Sequence, residues 1–163
     1  MMNKKPISMW PLKRVLVATD FSESGDGAVA EAFAVLGHGD GTLRLIHVLH
    51  PSSLADGSYE TIFQANRDSR HEDLSAACLA RLRGLIPADA ASRRVETRAE
   101  VIEDAHTAEA ICREADKFDA ELICLGPKGL GGVLDSLLGS VTRSVLEKST
   151  QSILLSRGRT TRR

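Results

Sequence analysis

Residues 122–142 read LICLGPKGLGGVLDSLLGSVT, and this stretch combines four features. The apolar run 122–125 predicts a short buried strand, and the glycine-rich turn 126–129 follows it directly. After a longer connection, Gly139 precedes a predicted helix that begins with hydroxyl side chains at 140 and 142. Glycines allow a backbone to approach a ligand closely, and the N–H groups at a helix start attract anions. The stretch therefore predicts a phosphate cradle.

On both sides of this stretch, the apolar pattern predicts alternating strands and helices. Apolar or alternating runs predict strands at 13–19, 43–49, 94–101, 122–125 and 151–156. Apolar residues at helical spacing predict four helices between them. Because strands and helices alternate and crossovers are right-handed, the expected fold class is α/β. It would be an open, doubly wound, five-stranded parallel sheet with helices on both faces.

Polar residues follow two of the predicted strands at the point where each strand ends. In doubly wound sheets, ligands bind beyond the carboxyl ends of the strands, where the winding reverses. With the order 3-2-1-4-5, this reversal lies between strand one, ending at Thr19-Asp20, and strand four, ending at Leu125-Gly126. Two loops that are distant in sequence are then expected to meet at one cleft.

The third and fifth strands carry the features expected at sheet edges. Residues 94–101 alternate between apolar and charged or polar side chains, which is typical of a strand with one solvent-exposed face. The fifth strand, with Ile153, Leu154 and Leu155, is too apolar for a bare edge. We therefore expect a homodimer in which this strand is covered by its copy.

Length, composition and charge limit the kind of protein. The chain has 163 residues and is 42% apolar, which predicts a single domain at 13–157 between a flexible leader at 1–12 and a basic tail at 158–163. The net charge of -1 provides no field that would attract nucleic acid or a membrane surface. Neither is therefore an expected partner.

The cysteines and the chain start predict a cytoplasmic protein. Cys78, Cys112 and Cys124 are far apart and form no C-x-x-C pair, as expected for reduced core thiols. No apolar stretch reaches the length of a transmembrane helix, and prolines interrupt the only apolar run near the chain start.

Several residues allow a structural interpretation beside a functional one. Asp20 fits a loop acid or a helix cap as well as a ligand contact, and Ser22 and Ser24 could cap the first helix. Lys128 could be solvated or contact a phosphate. His47 and His50 flank a strand end without a third ligand, which favours buried or loop histidines over a metal site.

Two helices carry more specific predictions. Asp104 is the expected cap of the third helix. Val141 and Val145 of the fourth helix are expected to face the core.

The motif Gly126-x2-Gly129-x9-Gly139-Ser140 resembles the nucleotide-binding signature of the universal stress protein family. Residues 15–22, VLVATDFS, are similar to that family's opening strand and loop. The resemblance extends over almost the whole chain. It implies the strand order 3-2-1-4-5, a homodimer paired through its last strands and, in one branch of the family, ATP bound across strands one and four.

The resemblance also implies roles for particular residues. Ala18, Thr19 and Asp20 would line the adenine and ribose side, and Val48 would offer backbone polar groups to the adenine edge. Leu125 and Gly126 would meet the ribose, and Gly129 the first phosphates. The outer phosphates would be held by backbone N–H and hydroxyl groups of Gly139, Ser140, Val141 and Thr142.

Two departures from the family pattern affect the phosphate site. Pro127 removes one backbone donor between the first two glycines, whereas Lys128 adds a positive charge there. Leu130 occupies a position that is often basic. These substitutions predict weaker phosphate binding than the signature alone implies.

The predicted function is that of a stress-responsive, ATP-binding regulatory protein. ATP, with or without Mg²⁺ held by its phosphates and water, would shift the contacts of the dimer or of an unidentified protein partner. We see no general base aimed at a γ-phosphate, so little or no catalysis is expected. The alternatives are a nucleotide-free interaction module with the same fold, and an ATPase or adenylyl transferase that uses Asp20 and Lys128.

Overall fold

The structure, a computed structural model, describes residues 11–37, 39–52, 71–129 and 138–157. Strands and helices alternate through these residues. They are β1 (Arg14–Ala18), α1 (Glu23–Leu36), β2 (Gly41–Leu49), α2 (His71–Gly84), β3 (Val95–Glu103), α3 (Thr107–Lys117), β4 (Leu122–Leu125), α4 (Ser140–Lys148) and β5 (Ser152–Leu155). All five strands pair in parallel in the order β3-β2-β1-β4-β5. The predicted α/β fold and strand order are confirmed.

The alternation of side chains along the central strands produces two cores. Val15 and Val17 of β1 pack with α1 and α2 on one face of the sheet, around the fully buried Phe33. Leu16 and Ala18 pack with α3 and α4 on the other face. Because β1 is covered on both sides, its sequence is continuously apolar rather than alternating.

Strands β3 and β5 lie at the two edges of the sheet, as predicted. The charged side chains of Glu96 and Arg98 are exposed on β3 and bond to each other, so this edge is protected by charge. All four residues of β5 are half-buried in the single chain. The two edges therefore differ in their readiness to pair with another strand.

The helix starts agree in part with the predictions. Ser22 caps α1, because its hydroxyl accepts a hydrogen bond from the Gly25 N–H at 3.1 Å. The predicted cap of α3 is wrong, since His106 occupies the N-cap position. The Asp104 carboxylate instead accepts a hydrogen bond from the His106 N–H at 2.7 Å, in a turn that precedes the helix.

Helix α4 corrects another prediction. Val145 is fully buried as expected, but Val141 is 37% exposed and does not face the core. In the first turn of α4, the buried Thr142 donates a hydrogen bond to the Gly126 carbonyl. This turn therefore buries Thr142 and leaves Val141 exposed.

The chain ends fall largely outside the described residues. Residues 1–10 of the predicted leader and the predicted basic tail at 158–163 are among those not described. Leu12, which the sequence places in the leader, is buried in the core beside α1. No helix in the described ranges is both long enough and apolar enough to cross a membrane.

Candidate functional site

The loops that follow β1 and β4 meet at the carboxyl edge of the sheet. The two strands pair with Val17 opposite Cys124, which brings their ends side by side. The Ser24 hydroxyl at the start of α1 donates a hydrogen bond of 2.6 Å to the Lys128 carbonyl. A Cβ atom on Gly126 would stand 2.8 Å from the Ser24 carbonyl carbon. Only glycine at 126 therefore allows this close approach of the two loops.

The β1 loop holds Asp20 through a tight turn. Its carboxylate accepts hydrogen bonds from the Ser22 N–H at 3.1 Å and the Ser22 hydroxyl at 2.6 Å. The next residue, Phe21, has the left-handed φ of 65°, which reverses the chain direction. A Cβ atom on Gly129 would collide with the Asp20 carboxylate, so Asp20 lies directly against the glycine loop.

His47 of β2 holds this turn in place through a hydrogen bond. Its ring is 2% exposed, and Nδ1 lies 2.8 Å from the Thr19 carbonyl, to which an Nδ1–H donates. The Phe21 ring packs on it, with 4.4 Å between the ring centroids. Burial lowers the pKa of His47, although the Thr19 hydrogen bond and the Asp20 charge oppose that shift. His47 is therefore neutral at physiological pH and serves the turn as a hydrogen-bond donor.

Three buried apolar side chains lie beside these loops. Ala18, Val48 and Leu125 come from the carboxyl ends of three adjacent strands and belong to the core beneath α3 and α4. Each is at most 8% exposed. These three side chains close that core at the carboxyl edge of the sheet.

Val48 and Leu125 differ in the direction of their backbone groups. The Thr19 N–H donates to the Ile46 carbonyl, so the backbone polar groups of every second residue of β2 point toward β1. The N–H and carbonyl of Val48 therefore point toward β1 as well, beyond the last residue of β1 that is paired with β2. The Leu125 carbonyl instead accepts a hydrogen bond from the Ser156 N–H at 2.9 Å.

Three successive carbonyls of the glycine loop are hydrogen-bonded within the protein. The Gly126 carbonyl accepts from the Thr142 hydroxyl at 2.9 Å, the Pro127 carbonyl from the Gly139 N–H at 2.7 Å, and the Lys128 carbonyl from Ser24. In a trans peptide, each N–H points opposite to the preceding carbonyl. The loop therefore turns its carbonyls toward the protein and its N–H groups away from these contacts.

The start of α4 lies beside this loop. Gly139 occupies the N-cap position, where a glycine has no side chain to satisfy the first N–H groups of the helix. The N–H groups of Ser140 and Val141 have no partner within the helix. Ser140 is exposed at this point. The helix start thus offers donors and a partial positive charge to an anion.

Gly139 packs the start of α4 against the glycine loop. Its φ of -69° suits any residue, so its backbone conformation does not require glycine. Among the described residues, the nearest neighbours of a Cβ atom here are 3.6 Å away, at an ordinary contact distance. One of them is the nitrogen of Gly129. The absent Cβ therefore leaves room for about one methyl group between the start of α4 and the Gly129 nitrogen.

The structure differs from the predictions in the role of two donors. The Thr142 hydroxyl and the Gly139 N–H, both predicted to hold phosphates, are engaged by loop carbonyls instead. Lys128 lies half-buried within the loop. The support given by Ser24 and His47 was not predicted, because it depends on contacts between distant segments.

The described residues include no metal-binding cluster, and two of their cysteines are buried in the core. The described part of the chain contains no group of three or more His, Cys, Asp or Glu side chains placed to hold a metal ion. Burial raises the pKa of Cys78 and of Cys124 to about 12, so both thiols are protonated. Their position in the core is that expected from the sequence.

Sequence comparisons find one family model that matches most of the chain. The sequence model of the universal stress protein family matches residues 11–157. No curated protein matches the chain.

Solved structures share the fold over nearly their whole length. The hypothetical protein MJ0577 is 20% identical, with a TM-score of 0.71, and the match covers 89% of this chain and 95% of that one. A universal stress protein in complex with cAMP is 21% identical, with a TM-score of 0.59 and coverage of 88% and 95%. The universal stress protein from Archaeoglobus fulgidus in complex with dAMP is 17% identical, with a TM-score of 0.59 and coverage of 89% and 98%. At these identities the likeness concerns the fold.

Proposed function

Since this chain belongs to the universal stress protein family, we propose that it is a stress-responsive regulatory protein that binds ATP at the junction of β1 and β4. The observation that carries this proposal is the arrangement of the glycine loop. Its three hydrogen-bonded carbonyls leave the N–H groups as the polar face beside the uncapped start of α4. Such convergent N–H groups are a common phosphate site.

The other end of the site suits an adenosine moiety. In this proposal the base would lie near Ala18, Val48 and Leu125, at the carboxyl ends of three strands, and the backbone of Val48 would meet its polar edge. In this proposal Asp20, whose carboxylate lies against the glycine loop, would accept hydrogen bonds from ribose hydroxyls. Two structural relatives, described as complexes with cAMP and with dAMP, lend support to an adenine nucleotide.

The proposed ligand is ATP, with Mg²⁺ held by its phosphates and by water. When bound, ATP supplies negative charge that the N–H groups of Gly129, Ser140 and Val141 would neutralise. We assign no catalytic residue, and hydrolysis would be slow at most. The protein would act in the cytoplasm, with residues 13–157 as a single nucleotide-binding domain, by changing its affinity for a protein partner when ATP binds.

A thermal-shift titration tests the nucleotide. We expect ATP at 100 times its Kd to stabilise the protein by about 2.7 kcal/mol, which for a chain of this length raises Tm by roughly 8 °C. ADP and AMP should have smaller effects, because they present fewer phosphates to the N–H groups. GTP serves as the control for the base. If millimolar ATP leaves Tm unchanged, the nucleotide-free interaction module becomes the better function.

We also propose that the protein forms a homodimer through β5. The Ser156 N–H bonds to β4, so the alternating backbone groups of Ile153 and Leu155 face outward along the sheet edge. Ile153, Leu154 and Leu155 are half-buried without a second chain. An apolar edge of this kind can add the same edge of another copy.

Proline substitution at the two sheet edges tests this dimer. Ile153→Pro removes an outward N–H without removing a bond to β4, and we expect it to shift micromolar protein from dimer to monomer in sedimentation equilibrium. Ala99→Pro makes the equivalent change on β3 and should leave the dimer intact. A monomeric wild-type protein at the same concentration would contradict the proposal.

A further inference from the structure

We propose that Ser24 is a positioning residue for phosphate binding: it aims the N–H of Gly129 at the phosphate. This inference rests on the proposed function, because it names a residue that prepares the same site. Ser24 itself bonds to a carbonyl of the glycine loop, and the proposal gives it no contact with the phosphate.

Helix α1 gives the Ser24 hydroxyl a fixed position. Ser24 lies in the first turn, where the Ser22 cap and the hydrogen bond from the Asp26 N–H to the Ser22 carbonyl, at 2.8 Å, order the backbone. From there the half-buried Ser24 hydroxyl bonds to the Lys128 carbonyl at 2.6 Å. This side chain is the link between α1 and the carbonyl that precedes Gly129.

The peptide plane transmits this contact to the other side of the loop. Because the peptide is planar and trans, fixing the Lys128 carbonyl toward Ser24 turns the Gly129 N–H in the opposite direction. The Gly129 nitrogen lies 3.6 Å from the position of a Cβ atom on Gly139. The N–H of Gly129 is therefore set next to the start of α4, where Ser140 and Val141 contribute their own N–H groups.

Ser24 differs in this respect from the other donors to the loop. Thr142 makes a similar hydroxyl–carbonyl bond to Gly126, but the following residue is Pro127, which has no N–H to orient. The bond to the Pro127 carbonyl comes from the backbone of Gly139. Among the described side chains, Ser24 is the one whose hydrogen bond orients an N–H of this loop.

Calorimetric titration of Ser24→Ala with ATP and with adenosine tests the proposal. The variant should bind ATP about tenfold more weakly, the usual effect of losing one charge-assisted hydrogen bond. Its affinity for adenosine should stay within about twofold, since adenosine has no phosphate. Ser75→Ala, which removes a half-buried serine hydroxyl from α2, is the matched control and should change neither affinity.

Two results would overturn the role of Ser24 while leaving ATP binding intact. The first is an unchanged ATP affinity in Ser24→Ala. The second is an equal loss for ATP and adenosine, because a general disturbance of the fold would weaken both ligands alike.

The amide resonance of Gly129 provides a second measurement that does not depend on adenine. In the wild-type protein, inorganic tripolyphosphate should shift the Gly129 N–H signal, and in Ser24→Ala this shift should largely disappear. A wild-type protein that responds to tripolyphosphate but not to ATP would refute the proposed function and retain the role of Ser24. No response of Gly129 to either ligand would refute both.

Discussion

Gly126→Ala is expected to weaken ATP binding by at least about 100-fold, which corresponds to about 2.7 kcal/mol. The added Cβ atom would stand 2.6 Å from the Ser24 hydroxyl oxygen, 2.8 Å from the Ser24 carbonyl carbon and 2.9 Å from the Gly25 nitrogen. Two of these three atoms belong to the backbone of α1 and cannot rotate away. The glycine loop must therefore move, and its hydrogen bonds to Ser24 and Thr142 would break together.

The same displacement should also cost stability. Overpacking of this kind destabilises proteins by about 1–3 kcal/mol. Urea unfolding of Gly126→Ala should show this loss, and calorimetry with ATP should show the loss of affinity. An ATP affinity close to that of the wild-type protein would mean that the loop geometry is not needed for binding.

Substitutions at two other glycines distinguish an effect on stability from an effect on ATP binding. Gly139→Ala makes only ordinary contacts with the described residues, so its stability should stay within about 1 kcal/mol of the wild type. Because the new methyl group would enter the proposed phosphate site, ATP affinity should fall sharply. Gly84→Ala, at the end of α2, meets no described atom within 4 Å and should leave ATP affinity unchanged. Equal ATP affinities for all three variants would contradict the location of the site.

Glu114→Ala is expected to lower the free energy of unfolding by about 3 kcal/mol, and Tm by roughly 8 °C. Glu114 lies on α3 and is 4% exposed, although its carboxylate is charged. It bonds to Arg44 of β2 at 2.8 Å and to Lys117 at 2.9 Å. Arg44 also bonds to Glu100 of β3 at 2.6 Å, so one charge cluster around the buried Glu114 joins two strands and a helix.

The cost comes from the charge that the substitution leaves behind. Only 16% of the Arg44 side chain is exposed, and its Nε already has no hydrogen-bond partner among the described residues. Without Glu114, the Arg44 guanidinium would retain, of these two ion pairs, only the one with Glu100. Glu109→Ala is the matched control on the same helix, because it removes an ion pair with Lys148 in which both side chains are 46% exposed. Such exposed pairs contribute little to stability, so Glu109→Ala should leave the free energy of unfolding close to that of the wild type.

The effect of Glu114→Ala should also depend on pH. Burial alone would raise the pKa of Glu114, but the Lys117 hydrogen bond and the charges of Arg44, Lys117 and Arg113 outweigh it, so its pKa is lowered. A carboxyl with a lowered pKa in the folded state stabilises the protein above its unfolded pKa, and this contribution disappears as the pH falls through the folded value. The difference in unfolding free energy between wild type and variant should therefore shrink below about pH 4.5. Equal denaturant midpoints for Glu114→Ala and Glu109→Ala at pH 7 would contradict the cluster's contribution.

Much of the fold follows from the sequence because it depends on local patterns. The continuous apolar run at 15–18 predicts a strand covered on both faces, and the alternation at 94–101 predicts an edge strand; the structure confirms both. The spacing of Gly126, Gly129 and Gly139 predicts the place of a ligand loop. These features are encoded by neighbouring residues and by periods of two or 3.6 residues, which are visible in one dimension.

The role of individual donors could not be predicted in this way. A hydroxyl at position 142 fits a phosphate ligand in the sequence, but the fold brings it within 2.9 Å of the Gly126 carbonyl. Likewise, Ser24 resembles an ordinary helix-start residue until the strand order sets it beside Lys128, which is 104 residues away along the chain. The sequence by itself determined the sheet, its edges and the glycine loop. Only the tertiary structure decided which groups hold that loop, because each polar atom bonds to the partner that folding brings within reach.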